Sequence, residues 1–458
     1  MKAFLKRFIP ILLIAALVWA GWANLPYLEM VAAYKAKSLC SAAYVSGRDI
    51  GNGAIADVSE GPLEPLKFLT TKIDEADKSI SVSLFGFRPS TAVYREGIGS
   101  TLAIGISPEE LRSQTQHPRP DFTSAPDKLW PQGNHVILPS EVAGLDLLKL
   151  NQVVDKAFDN QAQTRAVVVV SDGRIVSEKY ATGFSAGMPL KGWSMAKGVT
   201  NALVGILVRD GKLSLKDQSL LTEWSSPGDP RAEISLDHLM RMSSGLRFKE
   251  DYSIDPEGDI SMMLLRTGNA AKFAAAKTLA KPPGTFFQYS SGTSNILSLI
   301  IRRTINNDAE YYRFPYRELF HPIGAGTALI ERDASGTFVG SSFLYAIARD
   351  WARIGLLFAN DGVWEGNRIL PEGWVDYSRT PTPTDPKGEH GAHFWVKIQG
   401  QSSRPPLPNG IFHMAGHEGQ FVSILPEQKL VVVRLGLTLE RGMWNQEKFV
   451  GQVLSCFE

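Results

Sequence analysis

The chain of 458 residues is longer than a usual single domain, which predicts either one large domain with an appendage or two domains. Its 44% hydrophobic and 21% charged residues are typical of a folded protein with a sizeable core. The 48 basic and 47 acidic side chains leave a net charge of +1. This balance offers no basic excess for neutralising phosphates, so the composition argues against a nucleic-acid partner.

The N-terminus has the pattern of an export signal. Lys2, Lys6 and Arg7 precede an uncharged apolar run over residues 8–23. A membrane-spanning helix needs about 20 apolar residues, and the run reaches that length only if it extends to residue 28. Residues 1–28 are therefore predicted to be a signal peptide or a membrane anchor. With the cations on the cytoplasmic side, the chain is predicted to enter the bacterial periplasm. There it would be anchored to the inner membrane by residues 8–28, or secreted if the segment is cleaved.

Residues 40–135 differ in pattern from the rest and are predicted to form an N-terminal extension. Residues 79–87 alternate polar and apolar side chains, as a half-buried strand does, and residues 101–106 are a second candidate. Residues 114–133 are rich in Pro, Asp and Ser and predict a loop. No function follows from this region. It either forms one wall of a cleft or spaces the next domain from the membrane.

The chain from residue 140 to residue 458 is predicted to be a single α+β domain. Asp-Gly between two β-branched runs, 166–170 and 175–180, predicts a hairpin, and apolar spacing predicts a helix over 194–209. The same patterns predict further helices over 236–242 and 341–359. They also predict a terminal hairpin of two strands, 421–425 and 430–436. Strands at both ends and helices between them predict a mostly antiparallel sheet flanked by helices, with a helical middle subdomain.

The two cysteines, Cys40 and Cys456, are too few for a disulfide framework or a four-cysteine zinc site. They would either form one bridge between the two ends of the chain in an oxidising compartment, or stay unpaired thiols. The sequence leaves both possibilities open.

Ser194 and Lys197 form the only Ser-x-x-Lys in the sequence. Three residues apart on a helix, the two side chains share one face. A lysine whose pKa is lowered by burial or by cationic neighbours can take the proton of a serine and so make it a nucleophile. The motif alone is weak, because a serine also caps helices and a lysine is usually solvated.

Two further motifs strengthen this hypothesis. Tyr289-Ser290-Ser291 follows a Pro-Gly-Thr turn, and His417-Glu418-Gly419-Gln420 directly precedes the terminal hairpin. A tyrosine hydroxyl can relay a proton to a leaving group if neighbouring cations lower its pKa. Glycines allow a strand edge to approach a substrate closely, and a backbone N–H there can bind an oxyanion.

In this order the three motifs resemble those of the class C β-lactamase-like family, over roughly residues 140–458. That family includes D-alanyl-D-alanine carboxypeptidases, carboxylesterases and 6-aminohexanoate-dimer hydrolases. The resemblance implies a β-lactamase/transpeptidase-like fold, Ser194 as the acylated nucleophile, Lys197 as its base and Tyr289 as a proton shuttle. It also implies oxyanion donors on the backbone of Ser194 and Gln420, beside Gly419, and substrate contacts from His417 and Ser291.

Two departures from the β-lactamase motifs favour small esters or amides over penicillins. Ser291 stands where those enzymes carry Asn, and His417 where they carry Lys, whose fixed charge binds the substrate carboxylate. The prediction is a carboxylesterase or an amidase of the 6-aminohexanoate-dimer hydrolase kind, with neither a cofactor nor a metal. A β-lactamase or D-alanyl-D-alanine carboxypeptidase remains an alternative, as does a catalytically silent envelope binding protein.

Two other chemistries compete. Gly183-Phe184-Ser185-Ala186-Gly187 matches the G-x-S-x-G elbow of α/β-hydrolases, but the glycines and proline after it disfavour the helix that the elbow needs. His413 with His417, and His390 with His393, have spacings found among metal ligands, but no His-Glu-x-x-His is present. Loop histidines are the preferred interpretation.

Overall fold

The computed structural model describes residues 25–122, 127–159, 161–252, 255–440 and 442–457. Residues 1–24, most of the predicted signal or anchor, lie outside the described residues. Residues 25–28 form the first turn of helix α1, Leu25–Tyr44, which runs on through the predicted boundary at residue 40. Among the described residues, no helix combines the length and the apolar character that crossing a membrane requires.

Helix α1 packs against a four-stranded antiparallel sheet, and together they form what we call the N-terminal module, residues 25–102. The strands follow one another as neighbours: β1 Thr70–Asp74, β2 Ser79–Leu84, β3 Phe87–Arg95 and β4 Gly99–Leu102. The strand expected over 79–87 is thus two strands, because the chain turns at Phe85 and Gly86, where φ is 50° and 81°. The strand expected over 101–106 ends at Leu102. A separate apolar core lies between α1 and this sheet.

A buried ion pair fastens the N-terminal module to the rest of the molecule. Lys37 on α1 pairs with Glu331, and both side chains are almost fully excluded from solvent. The same carboxylate accepts hydrogen bonds from the Ser41 hydroxyl at 2.9 Å and from the Ser100 backbone N–H at 2.7 Å. A buried carboxylate is tolerated only when it is paired in this way, so the contact fixes the position of α1.

A five-stranded antiparallel sheet forms the centre of the larger part, and its order joins two distant segments of the chain. From one edge to the other the strands are β12 Phe412–Gly416, β13 Gln420–Leu425, β14 Leu430–Gly436, β5 Thr164–Ser171 and β6 Arg174–Tyr180. Along β5, Val168 and Val170 face one apolar core and Val167 and Val169 the other, as the two-residue period of a strand dictates. The predicted hairpins and the α+β class are confirmed.

Helices cover both faces of this sheet. One face packs on α3 Leu147–Lys156 and α12 Gln446–Leu454, and the other on α10 Ala348–Ala359. The remaining helices are α2 Pro108–Ser113, α4 Ala196–Arg209, α5 Leu236–Met240, α6 Asp259–Leu265, α7 Ala270–Ala275, α8 Ser291–Ile305, α9 Asp308–Pro315 and α11 Trp374–Arg379. The short strands are β7 Leu190–Lys191, β8 Leu329–Ile330, β9 Leu344–Ala346, β10 Val363–Trp364 and β11 Asn367–Arg368.

Three expected features differ in the structure. The helix expected over 341–359 begins only at Ala348, because residues 344–346 pair with β7 and β8 instead. The helix expected over 236–242 ends at Met240, since Met242 has a φ of 55°. Cys40 and Cys456 are both buried free thiols in separate cores, so no bridge joins them.

Candidate active site

Ser194 lies on a single 3₁₀ turn, Trp193–Met195, that leads directly into helix α4. Trp193 has a φ of 48°, an unfavourable conformation for a bulky side chain. Such strain persists where the surroundings hold it, and it is common beside reactive groups. The turn leaves Ser194 8% exposed, while Lys197, one turn further, is 1% exposed. Both side chains are therefore buried, and the serine is slightly more accessible than the lysine.

The Lys197 ammonium contacts the serine hydroxyl directly. Its Nζ lies 3.0 Å from the Ser194 Oγ, 2.9 Å from the Ser291 Oγ and 3.2 Å from the Ser341 carbonyl oxygen. Burial lowers the pKa of Lys197 to about 8. A minor but usable fraction of neutral amine is then present at neutral pH and grows as the pH rises, and only the neutral amine can accept a proton from serine.

Two tyrosines converge on the same serine. The Tyr289 ring centroid lies 4.9 Å from the Lys197 Nζ, and Tyr289 and Tyr252 both lie close enough to Ser194 for its hydroxyl to act on the pKa of each phenol. Burial, followed by the charge of Glu250, raises the pKa of both phenols above its usual value. The condition named in the sequence analysis, cations that lower the pKa of Tyr289, is therefore not met in the structure. Both tyrosines stay protonated and can donate protons.

Glu250 connects the first two motifs through hydrogen bonds. Its carboxylate accepts hydrogen bonds from the Ser291 N–H at 2.8 Å, the Ser291 hydroxyl at 2.6 Å and the Tyr252 hydroxyl at 2.8 Å. The Ser291 hydroxyl, predicted to contact substrate, therefore bridges Lys197 and Glu250. Sequence reasoning missed Glu250 and Tyr252, which lie on a loop with no periodic pattern. The only available signal was a charged and aromatic stretch, Lys249-Glu250-Asp251-Tyr252, inside an otherwise helical region.

The third motif packs against the nucleophile turn at the end of β12. A Cβ on Gly416 would lie 2.2 Å from the Gly192 carbonyl oxygen, so only glycine allows this approach. Gly419 has a φ of 79°, and a Cβ there would lie 2.4 Å from the Arg434 guanidinium. The two predicted oxyanion donors, the N–H groups of Ser194 and Gln420, lie on elements in contact with each other, the nucleophile turn and β13.

The side chains of the third motif face in different directions. Gln420 is buried, and its amide donates to the carbonyls of Gly436 at 2.7 Å and Glu418 at 3.0 Å. His417 is exposed and stacks on Tyr252, with ring centroids 4.7 Å apart and an interplanar angle of 12°. The Trp193 ring also lies close, with centroids 5.5 Å apart and the two rings nearly perpendicular. His417 is therefore an exposed side chain beside Tyr252 and the nucleophile turn.

Glu418 joins three parts of the molecule. It has a φ of 61°, and its carboxylate accepts 2.6 Å and 3.3 Å hydrogen bonds from the Trp193 indole N–H and the Tyr34 hydroxyl. Trp193 belongs to the nucleophile turn and Tyr34 to the N-terminal module. The third motif, the nucleophile and the module are thus connected through one side chain.

The competing residues do not assemble into a second site. Ser185 lies in a turn between β6 and β7, and no helix follows it before the nucleophile turn. The His413 Nδ1 lies 2.9 Å from the Ser423 hydroxyl, and burial lowers the pKa of His390, His393 and His413 to about 3. Within the part of the chain that the structure describes, no three His, Cys, Asp or Glu side chains cluster as metal ligands would.

Comparisons with known proteins identify the family and the fold of the chain. A family model described as β-lactamase matches residues 150–440. A 6-aminohexanoate-dimer hydrolase of Paenarthrobacter ureafaciens is 25% identical over 225 residues; the match takes in 46% of this chain and only 56% of that relative's length.

Two solved structures share the fold. A family VIII carboxylesterase superposes with a TM-score of 0.54 at 14% identity, over 70% of this chain and 99% of its own. An octameric penicillin-binding protein homologue from Pyrococcus abyssi superposes with a TM-score of 0.51 at 16% identity, over 68% of this chain and 77% of its own.

Proposed function

The chain belongs to the β-lactamase family, and within it we propose a serine hydrolase that cleaves small esters or amides through an acyl-enzyme. The observation that carries the proposal is the 3.0 Å contact between the Ser194 hydroxyl and a buried lysine whose pKa is lowered to about 8. A capping serine beside a solvated lysine, the ordinary alternative, would have neither the burial nor the lowered pKa.

In the proposed mechanism, neutral Lys197 takes the Ser194 proton while the serine oxygen attacks the substrate carbonyl. The N–H groups of Ser194 and Gln420 bind the resulting oxyanion. Tyr289, a protonated phenol, donates its proton to the departing alcohol or amine as the carbonyl–leaving-group bond breaks, and recovers a proton from Lys197. A water molecule then releases the acyl group by the same steps in reverse order.

Glu250 and Tyr252 extend the roles that the sequence suggested. Glu250 keeps the Ser291 hydroxyl bonded to Lys197 and so holds the lysine in place. Tyr252 donates its hydroxyl proton to Glu250 and stacks on His417, so it positions both side chains beside the nucleophile turn. The protonated phenol of Tyr289 suits an amide, whose amine must be protonated to leave.

Selectivity is proposed to favour small esters and amides over penicillins. The Ser291 hydroxyl is bonded to Lys197 and Glu250, and His417 stacks on Tyr252. These two residues stand where β-lactamases carry an Asn in the second motif and a Lys in the third. The curated relative described as a 6-aminohexanoate-dimer hydrolase supports an amidase. Efficient turnover of cephalosporins by the purified protein would instead favour the β-lactamase alternative.

Acyl trapping tests the proposal. The full chain is incubated with an activated p-nitrophenyl ester, quenched in acid, digested with trypsin and analysed by mass spectrometry. Cleavage after Lys191 places Ser185 in peptide 180–191 and Ser194 in peptide 192–197. Acyl mass on the second peptide, absent from Ser194→Ala, is the expected result. Acyl mass on the first peptide, or no adduct and no hydrolysis, would overturn the proposal; the latter outcome favours an envelope binding protein.

A further inference from the structure

A cavity of about 260 Å³ lies between the N-terminal module and the candidate active site. One wall is a face of α1, where Tyr27, Val31, Tyr34 and Ser38 recur at the three- and four-residue spacing of a helix. The opposite wall includes Trp193, on the turn that carries Ser194, and Tyr252 and His417, which stack on each other. The cavity therefore lies beside the nucleophile turn, and a region outside the matched residues 150–440 forms nearly half of it.

Most of the cavity lining is apolar. Leu63 from the module and Ile260 and Leu264 from α6 complete it, together with aromatic rings. Two of the charged groups at its edge are engaged: Lys37 pairs with Glu331, and the Glu418 carboxylate accepts from Trp193 and Tyr34.

Among the described residues that line the cavity, Lys191 is the other cation. Its ammonium lies 3.7 Å from the centroid of the Trp193 ring, where the face of the indole attracts it. Burial lowers the pKa of Lys191 to about 8, so its ammonium is still mostly protonated at neutral pH, where the Trp193 ring contacts it and the rest of the lining is mainly apolar. An uncharged chain suits this environment better than an ionised one, which would lose its hydration.

We propose that this cavity binds the acyl part of the substrate, and that the acyl group is an uncharged aliphatic or aromatic chain. The assignment rests on the proposed function of Ser194. Tyr289, the proposed donor to the leaving group, is not part of the cavity wall; its ring lies against Trp395, with centroids 5.2 Å apart. The leaving group is directed to that side, and the acyl chain to the cavity. The N-terminal module is then a specificity-determining part of the enzyme.

The volume sets the length of the chain. An apolar cavity of about 150 Å³ takes up benzene, so this cavity has room for roughly ten non-hydrogen atoms. Each buried methylene group raises kcat/KM by a factor of at most about four until the space is full. On the same relation between volume and atom number, we expect kcat/KM to stop rising at an acyl chain of about eight carbons.

Two ester series measured on the full chain test the assignment. In the first, the p-nitrophenyl group is constant and the acyl chain grows from acetate to butyrate, hexanoate, octanoate and dodecanoate. In the second, acetate is constant and the alcohol grows from ethanol to octanol. We expect kcat/KM to rise at least tenfold from acetate to hexanoate and to change less than threefold in the second series. Dependence on the alcohol alone would place the leaving group in the cavity and overturn the assignment.

A substrate with a charged acyl chain tests the proposal that the acyl group is uncharged. The p-nitrophenyl half-ester of adipic acid has a similar length to the hexanoate ester and ends in a carboxylate. We expect its kcat/KM to be at least tenfold below that of the hexanoate ester. If the half-ester is the better substrate, Lys191 binds its carboxylate, and the proposal of an uncharged chain is wrong.

Filling the cavity from the module side tests the role of α1. Ser38→Trp places a large ring on the cavity wall, while Ser226→Trp makes the same change on an exposed loop far from it. We expect Ser38→Trp to lower kcat/KM for octanoate at least tenfold and to leave acetate within threefold, with Ser226→Trp unchanged. If Ser38→Trp fails to fold, Leu264→Ala should instead extend the preference to longer acyl chains. Unchanged chain preference in a folded variant would contradict the proposal.

Binding without turnover separates this inference from the proposed function. The Ser194→Ala chain is titrated calorimetrically with octanamide and with acetamide. Tighter binding of octanamide that Ser38→Trp removes supports the cavity, even if trapping shows a nucleophile other than Ser194. Equal binding of the two amides overturns the inference and leaves the chemistry at Ser194 untouched.

Discussion

At the scale of single residues, the protonation of Lys197 controls the proposed reaction. Its pKa of about 8 results from burial, which lowers it, and from the Glu250 carboxylate, which raises it. The amine accepts a proton only when neutral, so kcat/KM should rise with pH and level off above about 8. Below that value it should fall close to tenfold per pH unit.

Glu250→Gln tests this account of the pH profile. The change removes the negative charge that stabilises the ammonium form, so the inflection of kcat/KM should move to lower pH. The glutamine can still accept a hydrogen bond from Ser291. Glu427→Gln, at an exposed pair with Arg379, is the control and should leave the profile unchanged. An inflection that stays in place or rises in Glu250→Gln would show that another group titrates.

Tyr289 is predicted to act as a proton donor. Burial keeps the phenol protonated, so Tyr289→Phe removes the proton that the leaving group needs. Hydrolysis of an alkyl amide should fall by roughly 10²–10⁴-fold. Hydrolysis of a p-nitrophenyl ester should fall much less, because p-nitrophenolate leaves without a proton. Steady-state kinetics on both substrates provide the measurement, and equal losses on both would indicate a structural role.

At the scale of elements, the third motif functions through a close approach of two backbones. Gly416 lies where a Cβ would be 2.2 Å from the Gly192 carbonyl oxygen, so Gly416→Ala must displace β12 from the nucleophile turn. A displacement of about 1 Å near a reacting centre costs roughly 10²-fold in rate. Gly187→Ala, at a position with open space and no positive φ, should be neutral. Near-normal kcat/KM in Gly416→Ala would mean that the two turns are not in contact.

The elements that could be predicted are those with a local pattern. Ser194 and Lys197 share a face because of their spacing, and the hairpin at 166–180 follows from β-branched runs around Asp-Gly. Glu250 and Tyr252 have no such pattern, since their position depends on packing between a loop and residues about 40 to 60 positions away. The helix expected to start at residue 341 failed for a related reason: Tyr345 pairs with Lys191 across the chain.

At the scale of the whole molecule, the N-terminal module was the least predictable part. Its short strands could be indicated by alternation, but the contact of α1 with the active site depends on Lys37 and Tyr34 meeting Glu331 and Glu418, almost 300 or more positions away. No periodicity encodes such a pairing. The sequence left open whether this region forms a wall or a spacer, and the cavity beside Ser194 supports the wall.

The Lys37–Glu331 pair should hold that wall in place. Lys37→Met leaves the Glu331 carboxylate buried without a cation, which typically costs about 3–5 kcal/mol. Lys429→Met, at the exposed pair with Asp172, should cost less than about 1 kcal/mol. Urea unfolding followed by fluorescence measures both free energies of unfolding.

A double variant separates the charge from the packing. In Lys37→Met/Glu331→Gln the buried charge is gone, while the glutamine oxygen can still accept from Ser41 and Ser100. The double variant should therefore be more stable than Lys37→Met alone, because the unpaired carboxylate is the main cost. It should also retain the preference for long acyl chains, since α1 keeps its apolar contacts. A double variant that is less stable than Lys37→Met would show that hydrogen bonding to the carboxylate, and not its charge, fixes the module beside the active site.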